Sequence, residues 1–403
     1  MTKEQQLLIK LLAHSITGTK ITNVKDIDWT VLIKESIAQT VSIVAFDSAA
    51  DLKDKIPKDI YTSWFNHTYG SLLINSYVEN SQKELTKILS SYNFPYFILK
   101  GLSSAAYYEK PELRALGDVD FLIQADKKNE IKEILKQNGY KVSLENHICH
   151  IVFTKPKAHL EMHFEISGIP NGQSGERVRE YMGNALENAE IKKHSGELFY
   201  TPAHHHHAII LLLHMQHHIL GEGIGLRHLM DWACFVHKTY NMPFWEEKVV
   251  PILKEIGLLE FANIFTALCI KCFGINSPEW IRETEEALLE ELLEDIFSGG
   301  NFGKKDKKRG ESGMMVSNRG KDGTGKGKLY YLYKTLVDST YTLFPTTKKC
   351  KLLLPFVVFY RVMRYVFLRC IGKRTSLIRA IPLAEKRKKL YNHLHIFEVN
   401  DYE

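Results

Sequence analysis

Two carboxylates, Asp118 and Asp120, stand two residues apart in the apolar run Gly117-Asp118-Val119-Asp120-Phe121-Leu122-Ile123. In a strand, residues i and i+2 share a face and lie roughly 6.5–7 Å apart. Both acids then point one way while Val119 points into a core. Two ionised carboxylates side by side repel, and a hard divalent cation, Mg2+ or Mn2+, is the counter-charge that suits their oxygens. A two-ion site needs a third carboxylate on a neighbouring strand. The run from Ala158 to Ile166 alternates, with Leu160, Met162, Phe164 and Ile166 on one face and His159, Glu161, His163 and Glu165 on the other. Glu161 is the predicted third acid, with His163 next to it. The plainer reading of that strand alone is a half-exposed edge with a solvated polar face.

The elements that must position these acids are legible from periodicity. Residues 1–92 read as helical, with Trp29, Leu32, Ile33, Ile37 and Val41 at helical spacing. Residues 93–170 change to short strands with intervening helices. They open with the strand Phe94–Leu99 and the small-residue turn Lys100-Gly101-Leu102-Ser103-Ser104. That order of strand, turn, helix and Asp-x-Asp strand is what metal-dependent phosphoryl or nucleotidyl transfer requires. Asp126 is the expected N-cap of a helix carrying Ile131, Ile134 and Leu135, which Asn138-Gly139 stops. Strands are expected at 140–144, 148–154 and 158–166. Residues 171–298 read as a helical domain, 299–328 as a flexible Gly- and Lys-rich loop, and 329–403 as a C-terminal helical region. The chain is thus expected to be α+β.

The bulk properties are those of an ordinary globular chain: 403 residues, 44% hydrophobic, 25% charged, net charge +6. That charge is too mild to argue for nucleic acid, and no dense basic–aromatic patch accompanies it, which disfavours a polymerase. Six cysteines over this length make no disulfide framework and fit a reducing cytoplasm. The first residues have no signal-peptide layout. From Leu352 to Ile371 the chain is apolar but interrupted by Pro355, Arg361, Arg364 and Arg369. The stretch 348–371 is therefore expected to pack on the protein or to touch a membrane surface, not to span one.

Other motifs read as structural. Gly320-Lys-Asp-Gly-Thr-Gly325-Lys326-Gly327 nearly spells a P-loop, but a glycine stands where the magnesium-holding Ser or Thr belongs, and no buried strand leads into it. Cys269 and Cys272 have CxxC spacing inside an apolar helical pattern and are expected in the core. His214 and His218 are i,i+4 and could share a zinc ion, but without the intervening Glu of a zinc protease the leading expectation is that they are hydrogen-bonded on a partly buried face. Arg227 and Asp231 are also i,i+4 and suit an intrahelical pair.

The segment Phe97-Ile-Leu-Lys100-Gly101, then Tyr107, Pro111, Arg114 and Gly117–Ile123, resembles the uncharacterised bacterial nucleotidyltransferase family of the DNA-polymerase-β-like superfamily. Leu160–Phe164, Leu211–His214 with His217 and His218, Leu226–Asp231, Gly299–Gly303, Leu343–Pro345, Leu354-Pro355 and Arg361 extend the resemblance over nearly the whole chain. It implies a mixed sheet flanked by helices, with two Mg2+ ions held by Asp118, Asp120 and Glu161 and an NTP, such as ATP, as substrate. One departure is visible: Gly101 is followed by Leu102, where the superfamily has Gly or Ser. Gly101, Ser103 and Ser104 are then the expected phosphate-holding residues, and Lys100 and Arg114 the expected triphosphate contacts. His163, His214 and Arg227 are expected to touch ligand or acceptor. The expected activity moves a nucleoside monophosphate to an acceptor hydroxyl on a small molecule or a protein. Two alternatives stay open: a catalytically silent nucleotide-binding interaction protein and a membrane-surface factor.

Overall fold

Helices lead the chain because its first apolar residues recur every three to four positions. They are α1 (Lys3–Thr17), α2 (Trp29–Ala38), α3 (Ser42–Ser48) and α4 (Lys58–Ser91). Thr2 and Gln5 close a capping box on α1, and the Asp28 carboxylate accepts from Val31 N to cap α2. At 34 residues α4 is about 50 Å long, so it reaches two cores: Trp64 packs among the helices and Leu85 to Leu89 under the sheet. This computed structural model describes residues 1–306 except 23, 146 and 171, together with 309, 333, 336–337, 340–341, 343–344, 346–370 and 387–395.

The sheet follows. β1 (Tyr96–Ile98), β2 (Val119–Ile123), β3 (Lys141–Leu144), β4 (His150–Lys155) and β5 (Ala158–His163) lie in the order β1-β2-β5-β4-β3. Only β2 and β5 are parallel; the other pairs are antiparallel. The fold is α+β with a mixed five-stranded sheet, as expected. α5 (Leu102–Ala105) follows β1, and α6 (Lys128–Gln137) leads from β2 towards β3. Asp126 does not cap α6; it lies in a short 3-10 turn before it, and the N-cap residue Lys127 makes no side-chain cap.

The two faces of the sheet bury different cores. Val119, Phe121, Ile123, Leu160 and Met162 pack on Ile131, Ile134 and Leu135 of α6 and on the C-terminal half of α4. The opposite face adds Phe97, Leu99 and Leu122 to a large helical core. β5 ends at His163, three residues short of the expected 166. Past it the alternation fails: Phe164 borders the first core while Ile166 crosses to the second.

That second core is built by α8 (His204–Leu220), α9 (Leu226–Thr239), α11 (Leu259–Phe273) and α12 (Glu286–Gly299), together with α1 to α3. Here α7 is Gly172–Met182 and α10 is Val250–Glu255. The region 171–298 is not wholly helical. β6 (Glu190–His194) and β7 (Glu197–Thr201) form a hairpin turned by Ser195-Gly196, and Tyr200 sets its ring edge-on to Tyr96 at 5.6 Å. A helical periodicity hid it because Lys192 and Lys193 break the alternation.

The start of the expected flexible loop is packed. Asn301 and Gly303 are buried, and a Cβ on Gly225 would lie 2.7 Å from that of Asn301. The near-P-loop at 320–327 lies outside the described residues. In the helix Leu354–Cys370 the half-buried Arg361 donates to Leu336 O and Thr340 Oγ1. No helix among the described residues is long and apolar enough to cross a membrane.

Candidate active site

β2 and β5 place the acids because they run parallel in a register that sets Asp120 opposite Glu161. Asp118 immediately precedes β2. One oxygen of Asp118, one of Glu161 and a ring nitrogen of His159 fall within 4.8 Å of one another. The turn after β1 is tied to the same strand: Leu99 N donates to Asp120 O at 2.9 Å. Lys100 Nζ is then 3.1 Å from Asp120 Oδ2. On the other side His163 Nε2 is 3.1 Å from Asp120 Oδ1 and 3.5 Å from Glu161 Oε2. The three predicted acids therefore share one site on the sheet face that looks toward α8 and α9.

The electrostatics divide the two aspartates. Asp118 is pushed up to about 6, first by the charge of Asp120, then by burial, with Glu161 adding to it. Burial acts the same way on Asp120, but the Lys100 ammonium and the His163 imidazole outweigh it and hold its carboxyl well below the usual carboxylate range. Burial would lower His163, yet hydrogen bonds to Asp120, Cys149 and Glu161 raise it to about 10. The site holds more negative charge than Lys100 and His163 offset, and Asp118 is where the excess collects.

Several residues expected to contact ligand are placed otherwise. Arg114 is buried, and its Nε and Nη2 donate to the two oxygens of Asp231 at 2.7 Å each. Tyr108 OH donates to the same carboxylate at 2.8 Å. Arg114 thus bolts the turn before β2 to α9 and is not a free triphosphate contact; it also takes the partner that Arg227 was expected to have. Ser103 is fully buried and donates to Ile98 O at 2.5 Å, and Ser104 is fully buried as well. The Ser103 hydroxyl is thus spent on the turn, while the Ser104 hydroxyl is buried without a hydrogen-bond partner among the described residues. His163 is only 2% exposed and holds Asp120 from below, so it positions an acid and does not meet an acceptor. Gly101 has φ +62° and ψ −115°, a conformation open in practice to glycine alone.

Among the described residues, Arg227 is a cation near the acids without such a lock. Burial lowers its guanidinium, as does Arg114, while Asp231 and Asp118 act the other way. Its Nε has no hydrogen-bond partner among the described residues, and Phe302 lies over its guanidinium at 5.4 Å. Next to it His214 and His218 of α8 meet His228 of α9, with ring centroids 4.3–5.6 Å apart. Burial first, then the nearby Lys100, keeps His214 neutral. Lys100 and Arg227 both contribute positive potential at the His218 ring, which helps to keep it neutral after burial and the neighbouring histidines.

Asp231 and Tyr108 were not expected in the site's scaffold, because the pairing with Arg114 spans 117 residues of sequence. His147, Cys149 and His150 also gather beside β5; the one signal for them was their close spacing. Cys269 and Cys272 are buried on α11, as expected of core residues, and burial pushes Cys272 up to about 12.

A family model described as uncharacterised nucleotidyltransferase matches residues 25–274. That span holds all three acids, the Lys100-Gly101 turn, and α8 and α9. The chain belongs to this family of uncharacterised nucleotidyltransferases. No curated protein matches it.

Proposed function

We propose that the protein transfers a nucleoside monophosphate from an NTP to an acceptor hydroxyl, with divalent cations held by Asp118, Asp120 and Glu161. The observation that carries this reading is the register of Asp120 with Glu161, with Asp118 two residues before it and raised to about 6 by its neighbours. A donor set of three carboxylates fits a hard cation, Mg2+ or Mn2+. Bound there, two such ions would neutralise the triphosphate and acidify the acceptor hydroxyl.

The chain's own residues would divide the remaining work. Asp120 is preorganised by Lys100 and His163, so its carboxylate stays ionised and fixed. Arg227, with an unsatisfied Nε, is the group best suited to grip the triphosphate, and Lys100 can turn from Asp120 toward phosphate once a cation takes over that carboxylate. Gly101 supplies the tight turn that lets Lys100 approach β2. The acceptor oxygen attacks the α-phosphorus, the bond to the β-phosphate oxygen breaks, and pyrophosphate leaves.

The test is incubation of the purified chain with each α-labelled NTP, Mg2+ or Mn2+ and a cell extract. Label on a protein or on a small molecule, absent with Asp118→Asn and Asp120→Asn, supports the reading. Label transfer at wild-type level by either variant would sink it.

Peripheral membrane contact has its own support: Phe356, Phe359 and Phe367 on the helix Leu354–Cys370 are 74%, 67% and 64% exposed. Anionic vesicles should co-sediment the wild type and lose it on replacement of these three by Ser; unchanged sedimentation would remove this reading.

A further inference from the structure

A second set of ligating side chains lies at the start of β4. His147, Cys149 and His150 each bring one ligand atom within 4.8 Å of the others. The Cys149 sulfur is 3.3 Å from His147 Nδ1 and 3.7 Å from His150 Nδ1. A tetrahedral zinc ion, with bonds of about 2.3 Å to sulfur and about 2.0–2.1 Å to imidazole nitrogen, holds those two atoms about 3.6 Å apart. The two observed spacings straddle that edge length. The imidazoles of His147 and His150 stack with ring centroids 3.9 Å apart, and the Nδ1 of each lies near the same sulfur.

Two ring nitrogens and Ser167 Oγ, at 3.4 Å, converge on the Cys149 sulfur, which as a thiolate can accept from all three. The thiolate is also the form that ligates a metal. A cation satisfies the sulfur and both nitrogens together. Thiolate and imidazole are ligands for zinc and similar soft or borderline ions, whereas the acids nearby suit hard ones. Cys149 is buried and His147 exposed, which leaves a route from solvent.

We infer that His147, Cys149 and His150 form a binding site for one zinc-like transition-metal ion beside the cations of the three acids, with His150 also within 4.8 Å of ligand atoms of Glu161 and His163. Binding takes Cys149 as the thiolate and both imidazoles as neutral ligands. The consequence is positional. His150 is the register partner of His163, which holds Asp120 through Nε2 and meets Ser167 through Nδ1. An ion at the start of β4 would fix the segment 147–150 and the His150 end of that strand, beside His163 of β5.

The experiment is Co2+ titration of the full-length protein, stripped of metal and followed by absorption. The wild type should develop a thiolate-to-cobalt charge-transfer band with tetrahedral visible bands, bleached by one equivalent of Zn2+. Cys149→Ser should lose the charge-transfer band, and His150→Ala should weaken Co2+ binding by more than about 10-fold. Asp118→Asn should keep the band, which separates this site from the acidic one, and Cys350→Ser should keep it too. A wild type with no thiolate band, a band that survives Cys149→Ser, or one lost in Asp118→Asn would overturn the inference. None of these readouts depends on nucleotidyl transfer.

Discussion

Replacing Asp118 by Asn removes one of three crowded carboxylates and should stabilise the metal-free protein. The carboxyl sits at about 6 in the fold instead of the ordinary 3.8, because Asp120, burial and Glu161 oppose its charge. That difference corresponds to about 3 kcal/mol of cost for keeping Asp118 ionised above pH 6. Asp118 is partly open to water, which screens the repulsion, so the expected gain for Asp118→Asn is roughly 1–3 kcal/mol. The sign follows from proton binding. Between pH 6 and 3.8 the folded protein holds a proton that the unfolded chain has released, so wild-type stability falls as pH rises through that window. The advantage of the Asn variant should therefore be full above about pH 6 and disappear as the pH falls toward 4. Thermal melts in EDTA at pH 7.5 should show the variant's midpoint raised by roughly 2–6 °C. Added Mg2+ should then raise the wild type, by mass action on the folded state, and leave the variant where it was. A variant that melts lower than wild type in EDTA, or that still gains stability from Mg2+, would refute the view that Asp118 is a cation ligand lacking its cation.

Three further outcomes follow from the same geometry. Mg2+ affinity, measured by calorimetry, should fall about tenfold per pH unit below pH 6, since Asp118 must lose its proton before it can ligate; a flat profile from pH 5 to 7 would contradict this. Asp231→Asn should destabilise by about 3–5 kcal/mol in urea melts, because it leaves the Arg114 guanidinium buried without its bidentate partner; a loss under 1 kcal/mol would place Arg114 in water. Gly101→Ala should cost about 1–3 kcal/mol, because its φ of +62° and ψ of −115° strain any residue with a Cβ, and should lower transfer activity more than stability by displacing Lys100; wild-type stability and turnover would refute the strained turn.

The acids were legible because their signal is local. Strand alternation puts Asp118 and Asp120 on one face and Glu161 on the matching face of its own strand, and apolar Val119, Phe121, Leu160 and Met162 fix which face that is. The α4 and α9 helices were legible for the same reason. The hairpin β6–β7 was not, since its short strands carry little alternation and gain their burial only against Tyr96 and the sheet edge. Nor was the end of β5 at His163: the residue types continue to alternate, but the chain turns away to send Ile166 into the helical core.

The division is physical. Sequence alone determined the donor chemistry: three carboxylates on two short strands, a glycine turn with a lysine before it, and basic and imidazole groups on two later helices. Tertiary structure decided which cation serves which anion, because burial makes an unpaired charge costly and pairs form with whatever the fold brings close. Arg114 is neighbour to Asp118 in the chain but is taken by Asp231, 117 residues away. Arg227 loses that aspartate and is left facing the acids. His163, next but one to Glu161, turns under Asp120. Only the parallel register of β2 with β5, a long-range pairing that no local pattern specifies, brings Asp118, Asp120 and Glu161 into one place.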